Sequence, residues 1–173
     1  MARIDPVTPS GVVSEHLPHP PLPRHALPQP LAERGSDFHA SLLAQHALVL
    51  DPDGQPARDA MPEQLQAQLA ALLRLLQERI DDLKERALLA GGRPAHGLFA
   101  ELEQVAAVLA RLVMLWPRLR QQLPQQQDEA RGRLRPLFAS CHFLLRVLQH
   151  SAEPDDWQQL AASLEESERS LSA

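Results

Sequence analysis

Apolar residues recur along this chain at steps of three and four, and the longest such run sets the architecture. Leu65, Leu69, Leu72, Leu76, Ile80, Leu83, Ala87 and Ala90 share one face, about 100° wide on a helical wheel. Arg74, Glu78, Asp81 and Glu85 occupy the opposite face. Asp59 can cap the start, Pro62 suits a first helical turn, and Gly91-Gly92 supplies the stop, so the pattern predicts a helix over about 61–90. A second run, Leu98, Leu102, Val105, Leu109, Leu112 and Trp116, repeats the spacing. Phe99, Ala106, Val108, Val113 and Leu115 widen its apolar arc to roughly 200°. A helix that broad meets several neighbours and belongs near the centre. Pro117 is expected to kink or end it, which gives about 96–116.

The remaining elements are shorter. Gln121 to Gln127 is a polar connection, after which Leu137, Cys141, Leu144 and Leu148, with Phe138 and Leu145 beside them, predict a buried helix over about 134–150. Pro136 fits its first turn, or kinks a longer helix begun near Asp128. The acidic turn "EPDDW" opens a narrow-striped surface helix over about 154–171, carrying Trp157, Leu160, Ala161, Leu164 and Leu171. Upstream, Ser36 and Asp37 can start a short helix with Phe38, Leu42 and Leu43 on its apolar face. Ala47 to Leu50 ahead of "DPDG" also fits a strand entering a turn, but no partner strand is evident, and helix is the better reading.

Eight of the 16 prolines fall within the first thirty residues, too closely spaced for a helix or a central strand. Residues 1–34 therefore read as a disordered leader rich in Pro and His, with 35–59 a short helix and turn and 60–173 the folded body. The expected fold is all-α: a helical bundle, or an antiparallel coiled-coil-like hairpin plus two further helices, behind a disordered Pro-rich N-terminus.

Composition supports this class. The chain has 173 residues, 44% hydrophobic and only 3% aromatic. It holds 32 leucines and no tyrosine, a balance that favours helices over strands. The single cysteine, Cys141, excludes an intramolecular disulfide and suits a reducing compartment. No secretory signal is visible, so a cytoplasmic protein is expected, with export by a signal-peptide-independent route as an option. Leu98 to Trp116 includes Glu101, Glu103, Gln104 and Arg111, too polar for a membrane span. Arginine outnumbers lysine sixteen to one, a hint of a GC-rich bacterial source.

Candidate chemistry is sparse. His16, His19 and His25 lack the converging ligands that zinc needs. "DPDGQPARDAMPE" puts Pro56 and Pro62 where a calcium loop requires glycine and glutamate. Cys141 and His142 are neighbours on a helix and point about 100° apart, so they do not form a nucleophile and base. No Glu-x-x-His pair, phosphate-binding glycine loop or CxxC is present. No enzyme activity and no cofactor are expected. A net charge of -5 argues against nucleic acid as the target of "RGRLR". Arg118 to Pro136 carries a local balance of +3, and Ser151 to Ala173 one of -5.

The expected function is a non-enzymatic protein–protein interaction module acting by helix-on-helix recognition, with a protein partner or a second copy. The stripe left incompletely covered is Trp157 to Leu171 or Leu65 to Leu83, with Leu69, Leu72, Leu76, Trp157, Leu160 and Leu164 as candidate contacts and Met114 and Trp116 adding to the patch. The P-x-x-P spacings of Pro18, Pro20, Pro21 and Pro23 form a candidate docking segment. A polar leader ahead of a cysteine-poor helical domain resembles the build of proteins handled by injectisome-type export machines. That resemblance implies a bacterial chaperone, adaptor or secretion-linked accessory protein. The alternative is a regulator or sensor binding a small ligand or metal in the bundle, through two or more of His39, His46, His96, His142 and His150.

Overall fold

The computed structural model of the chain describes residues 40–42, 44–54 and 59–173. The Pro/His leader, the docking segment at Pro18, Pro20, Pro21 and Pro23, the cap at Ser36 and Asp37, and His39 lie outside the described residues. Among those described there are helices and turns but no strand. The elements are α1 (Ala47–Leu50), α2 (Pro62–Ala90), α3 (His96–Gln122), α4 (Gln127–Val147), a 3-10 turn (Gln149–Ser151) and α5 (Pro154–Ser172).

Each boundary has a local cause. α2 starts with Met61 as N-cap, two residues beyond Asp59, and Gln64 reaches back so that its Oε1 accepts the Met61 amide at 3.2 Å. It stops at Gly91, whose φ of 60° and ψ of 39° place it in the left-handed region that glycine enters without steric cost. α3 does not end at Pro117. It continues to Gln122, with Pro117 exposed on its outer side. The ring removes one backbone donor there, but Leu119 is 2 % exposed and Leu123 5 %, so packing of the next turn holds the helix on. α4 starts at Gln127, seven residues ahead of 134 and within one residue of the longer alternative begun near Asp128. Asp128 and Glu129 sit in its first turn, and Ala130 and Leu134 are buried there. Pro136 is inside this helix, with the exposed Gly132 four residues before it, where the ring crowds the backbone.

The four long helices run up, down, up and down. Their order around the bundle is α2, α3, α5, α4: α2 packs on α3 and α4, and α5 packs on α3 and α4. The consecutive pair α3 and α4 meets across the middle, while α2 and α5 lie on opposite corners. Parallel helices are therefore neighbours, α2 beside α4 and α3 beside α5. α3 also carries α1, so it touches every other helix, and this is why its apolar arc is wide. Its buried set runs from Phe99 through Leu102, Leu109, Leu112 and Trp116 to Leu119.

The core is leucine-rich, with Leu72, Leu76, Ile80, Leu83, Leu102, Leu109, Leu112, Phe138 and Leu144 fully buried. Burying a side chain of this size stabilises by about 1.5–3 kcal/mol. Polar ties fix the angles between elements. Arg86 of α2 grips Glu101 of α3 with both guanidinium nitrogens, at 3.0 and 2.6 Å, and Arg79 meets the same carboxylate at 3.0 Å. The Glu101 hydrogen bonds hold the Arg86 pKa above its ordinary value against the opposing effect of burial. The Trp157 indole donates to the Leu145 carbonyl at 2.8 Å, satisfying one of the acceptors left open at the end of α4. The buried Ser151 hydroxyl accepts the Ala95 amide at 2.8 Å, and its carbonyl meets His96 Nδ1 at 2.7 Å, so the 3-10 turn is tied to the start of α3.

Candidate interaction surface

The interaction stripe expected from the sequence is largely inside the bundle. Leu72 and Leu76 are fully buried, and Leu69, Trp116, Leu160 and Leu164 are each 7 % exposed or less. The expectation of an uncovered stripe on α2 fails because α3 and α4 close over it from two sides. On α5 the stripe faces α3 and α4 for the same reason. Trp157 is half-buried at the α4–α5 seam. Met114 is 77 % exposed but stands alone on the outer side of α3, which is ordinary for a single surface apolar residue. Leu88 and Leu89 are exposed beside the Gly91-Gly92 turn.

Of the expected contacts, Leu69 lies on the floor of the opening with the most apolar lining, while Trp157 borders a shallow one with His150 and Pro154. Between the N-terminal turns of α2 and α4 lies a cleft of about 190 Å³. Leu69 and Leu73 of α2, Leu123 of the connection and Ala130 of α4 form its apolar floor. The rim is Gln66 and Gln126 on one side and Glu129 with Arg133 on the other, these last two paired at 2.7 Å. The cleft exists because Ala70 and Ala130 stand where longer side chains would fill the space between the parallel helices. Leu123 reaches in from below because the α3–α4 connection turns tightly, its amide bonded to Leu119 O at 2.8 Å. Immediately beyond lies a second cleft of about 240 Å³, polar and lined by Pro62, Glu63, Gln122 and Gln125. The Trp116 indole N–H, behind Leu69, is buried with no hydrogen-bond partner among the described residues.

Sequence reasoning singled out Leu69 but missed Leu73, Leu123, Ala130, Gln66 and Arg133. The available signal was alanine placed on the edge of an otherwise leucine-rich stripe, together with five glutamines around the α3–α4 connection.

Among the described residues the chemically reactive types do not assemble. Cys141 is fully buried, and burial pushes its thiol up to about 12. His142 turns away from it and meets Glu168 of α5 at 3.1 Å. His96 bonds Ser151 and His150 bonds Gln149, while His46 lies on the α1 side. No group of three or more His, Cys, Asp or Glu among the described residues is arranged to hold a metal ion. Asp51 to Gly54 forms a simple turn, the Gly54 amide bonding Asp51 O at 3.1 Å. No helix among the described residues is long and apolar enough to cross a membrane.

Comparison with family models, with curated proteins and with solved structures found no match for this chain.

Proposed function

We propose that the chain is a non-enzymatic interaction module that receives an amphipathic helix of a partner protein in the cleft between the N-terminal turns of α2 and α4. The observation that carries this reading is the shape and chemistry of that cleft: an apolar floor of leucine and alanine beneath a rim of carboxamides and one ion pair. At about 190 Å³ it is smaller than a small-molecule site, for which roughly 300–1,000 Å³ is usual. It matches one bulky apolar side chain anchoring a helix whose polar flanks meet the rim. Within this class the reading is a bacterial chaperone, adaptor or secretion-linked accessory protein, cytoplasmic at least at first. Its supports are the arginine-rich composition and the Pro/His leader.

The test is a selection with the purified full chain against a displayed library of amphipathic helices. Binders are expected to converge on an i, i+3 or i+4, i+7 apolar pattern with one aromatic or leucine anchor. They should lose at least tenfold in affinity for Ala70→Arg, a substitution at an exposed helical position that the fold tolerates. Binders indifferent to Ala70→Arg, or no binder at all, would overturn the assignment.

A further inference from the structure

α1 is a short helix laid across the cleft between α2 and α3, on the side away from α4 and α5. It contributes Val49 and Leu50, both fully buried, and Leu42 just before it is 2 % exposed. Three polar ties hold it. The Leu48 amide donates to Gln68 Oε1 of α2 at 3.2 Å, Arg111 Nε of α3 donates to the Leu50 carbonyl at 2.7 Å, and Arg118 meets Asp53 at 2.8 Å. Arg111 thus serves the open C-terminal carbonyls of α1, which explains a charged residue in the middle of the most apolar helix.

Under this strap sits a group that fits poorly as a cation. His46, the residue before α1, is 8 % exposed, and its Nδ1 is buried with no hydrogen-bond partner among the described residues. Its carbonyl accepts the Val49 and Leu50 amides, both at 3.0 Å, so the imidazole and the first turn of α1 move together. The charged groups of the surrounding elements offer it little relief. From α3 they are Arg111 and Arg118, both cationic, and α2 presents the neutral Gln68. On its own segment, Asp53 is engaged by Arg118 and Asp51 is exposed.

We propose that His46 is an acid-sensitive latch: protonation of its imidazole releases α1 from the α2–α3 cleft while the four long helices stay packed. Burial lowers the His46 pKa from its ordinary value, and the backbone of Gln68 opposes that in part. The docked form therefore takes up its proton at lower pH than the released form. The strap is at full strength above about pH 6.5 and weakens as pH falls through that value and on through the docked pKa. Each pH unit separating the two midpoints is a tenfold change in the docking equilibrium.

The experiment is NMR on the full chain between pH 7.5 and 5.0, following the His46 ring shift and the hydrogen-exchange protection of the Leu48, Val49 and Leu50 amides. Protection factors correct for the intrinsic pH dependence of exchange. The expected result is a loss of at least tenfold in protection at these three amides, setting in below about pH 6.5 and levelling off past the His46 ring midpoint, with Leu76, Leu109 and Leu144 unchanged. In His46→Gln the pH dependence should vanish. Protonation of His46 with protection retained would overturn the proposal. So would the same loss in His46→Gln, which would assign the effect to Asp51 or Asp53. Should His46→Gln leave α1 released at every pH, the span of the loss in the unmodified chain decides: a loss lying outside the range between about pH 6.5 and the His46 ring midpoint would refute the latch.

Discussion

Replacing Glu101 by glutamine removes the carboxylate that bridges Arg86 and Arg79 at the α2–α3 seam, while Arg86 keeps Asp82 at 2.8 Å. The side chain is 23% exposed, Arg86 is 38% and Arg79 is 37%, so the site is neither dry nor fully wet. Two opposite charges 4 Å apart attract by about 4 kcal/mol at an effective dielectric of 20, but much of that repays desolvation. Exposed pairs retain about 0.2–1 kcal/mol, and hydrogen bonds to a charged group about 1.5–3 kcal/mol. With a bidentate fork on one side and a second arginine on the other, Glu101→Gln should cost about 1–2 kcal/mol. In urea, with a slope of about 2 kcal/mol per molar, that moves the midpoint down by roughly 0.5–1 M. Fluorescence of Trp116 and Trp157 reports the transition. A double-mutant cycle with Arg86→Met should give a coupling of about 1 kcal/mol. Coupling below about 0.3 kcal/mol, the ordinary additivity error, would show that the fork contributes geometry without stability.

Two further outcomes follow from groups whose protonation the fold alters. Cys141, buried and with its thiol pushed up to about 12, should resist a thiol reagent at pH 8 in the folded chain and react fully in denaturant; rapid labelling without denaturant would contradict its place in the core. Glu103 on α3 has its pKa raised by burial first and by Asp156 of α5 second. Its charged form therefore weakens the α3–α5 contact above the ordinary carboxylate range, and the penalty disappears below it. Because the side chain is largely exposed, screening limits the effect, and Glu103→Gln should stabilise by less than about 1 kcal/mol at pH 7. Thermal melts should show that gain vanish by pH 4; a gain that persists there would point to some cause other than charge.

The helix identities were legible in the sequence because leucine spacing reports a buried face directly. The Leu65 to Ala90 stripe is the face that α2 buries, apart from the half-buried Ala90, and the wide arc of Leu98 to Trp116 marks the helix that touches all others. Helix ends were less legible. Pro117 and Pro136 are local helix breakers, and nothing near them in sequence reveals that Leu119, Ala130 and Leu134 have packing partners that carry the helix through. Partner choice was not legible either, since an amphipathic stripe says that a face is covered but not by what. Leu72 and Leu76 looked available for a partner because α4, some 60 residues on, also lies against them. The cleft near Leu69 depends on what is missing from Ala70 and Ala130, and His46 depends on burial created by Gln68 and α3 from a distance. Both are properties of assembly.

The ring order α2, α3, α5, α4 bears on how the chain reaches its fold. In a bundle whose successive helices are neighbours, each hairpin can close as soon as it exists. Here the two widest interfaces join α2 to α4 and α3 to α5, partners separated by an intervening helix. An α2–α3 hairpin by itself would leave Leu69, Leu73, Leu102 and Leu109 without much of their cover. The last apolar residue of the seam, Leu171, is 1 % exposed and belongs to the final turn of α5. Closure of the α2–α4 contact must wait for α4, and that of the α3–α5 contact for α5. During synthesis the chain therefore carries a long leucine surface in the open until its last helix is made.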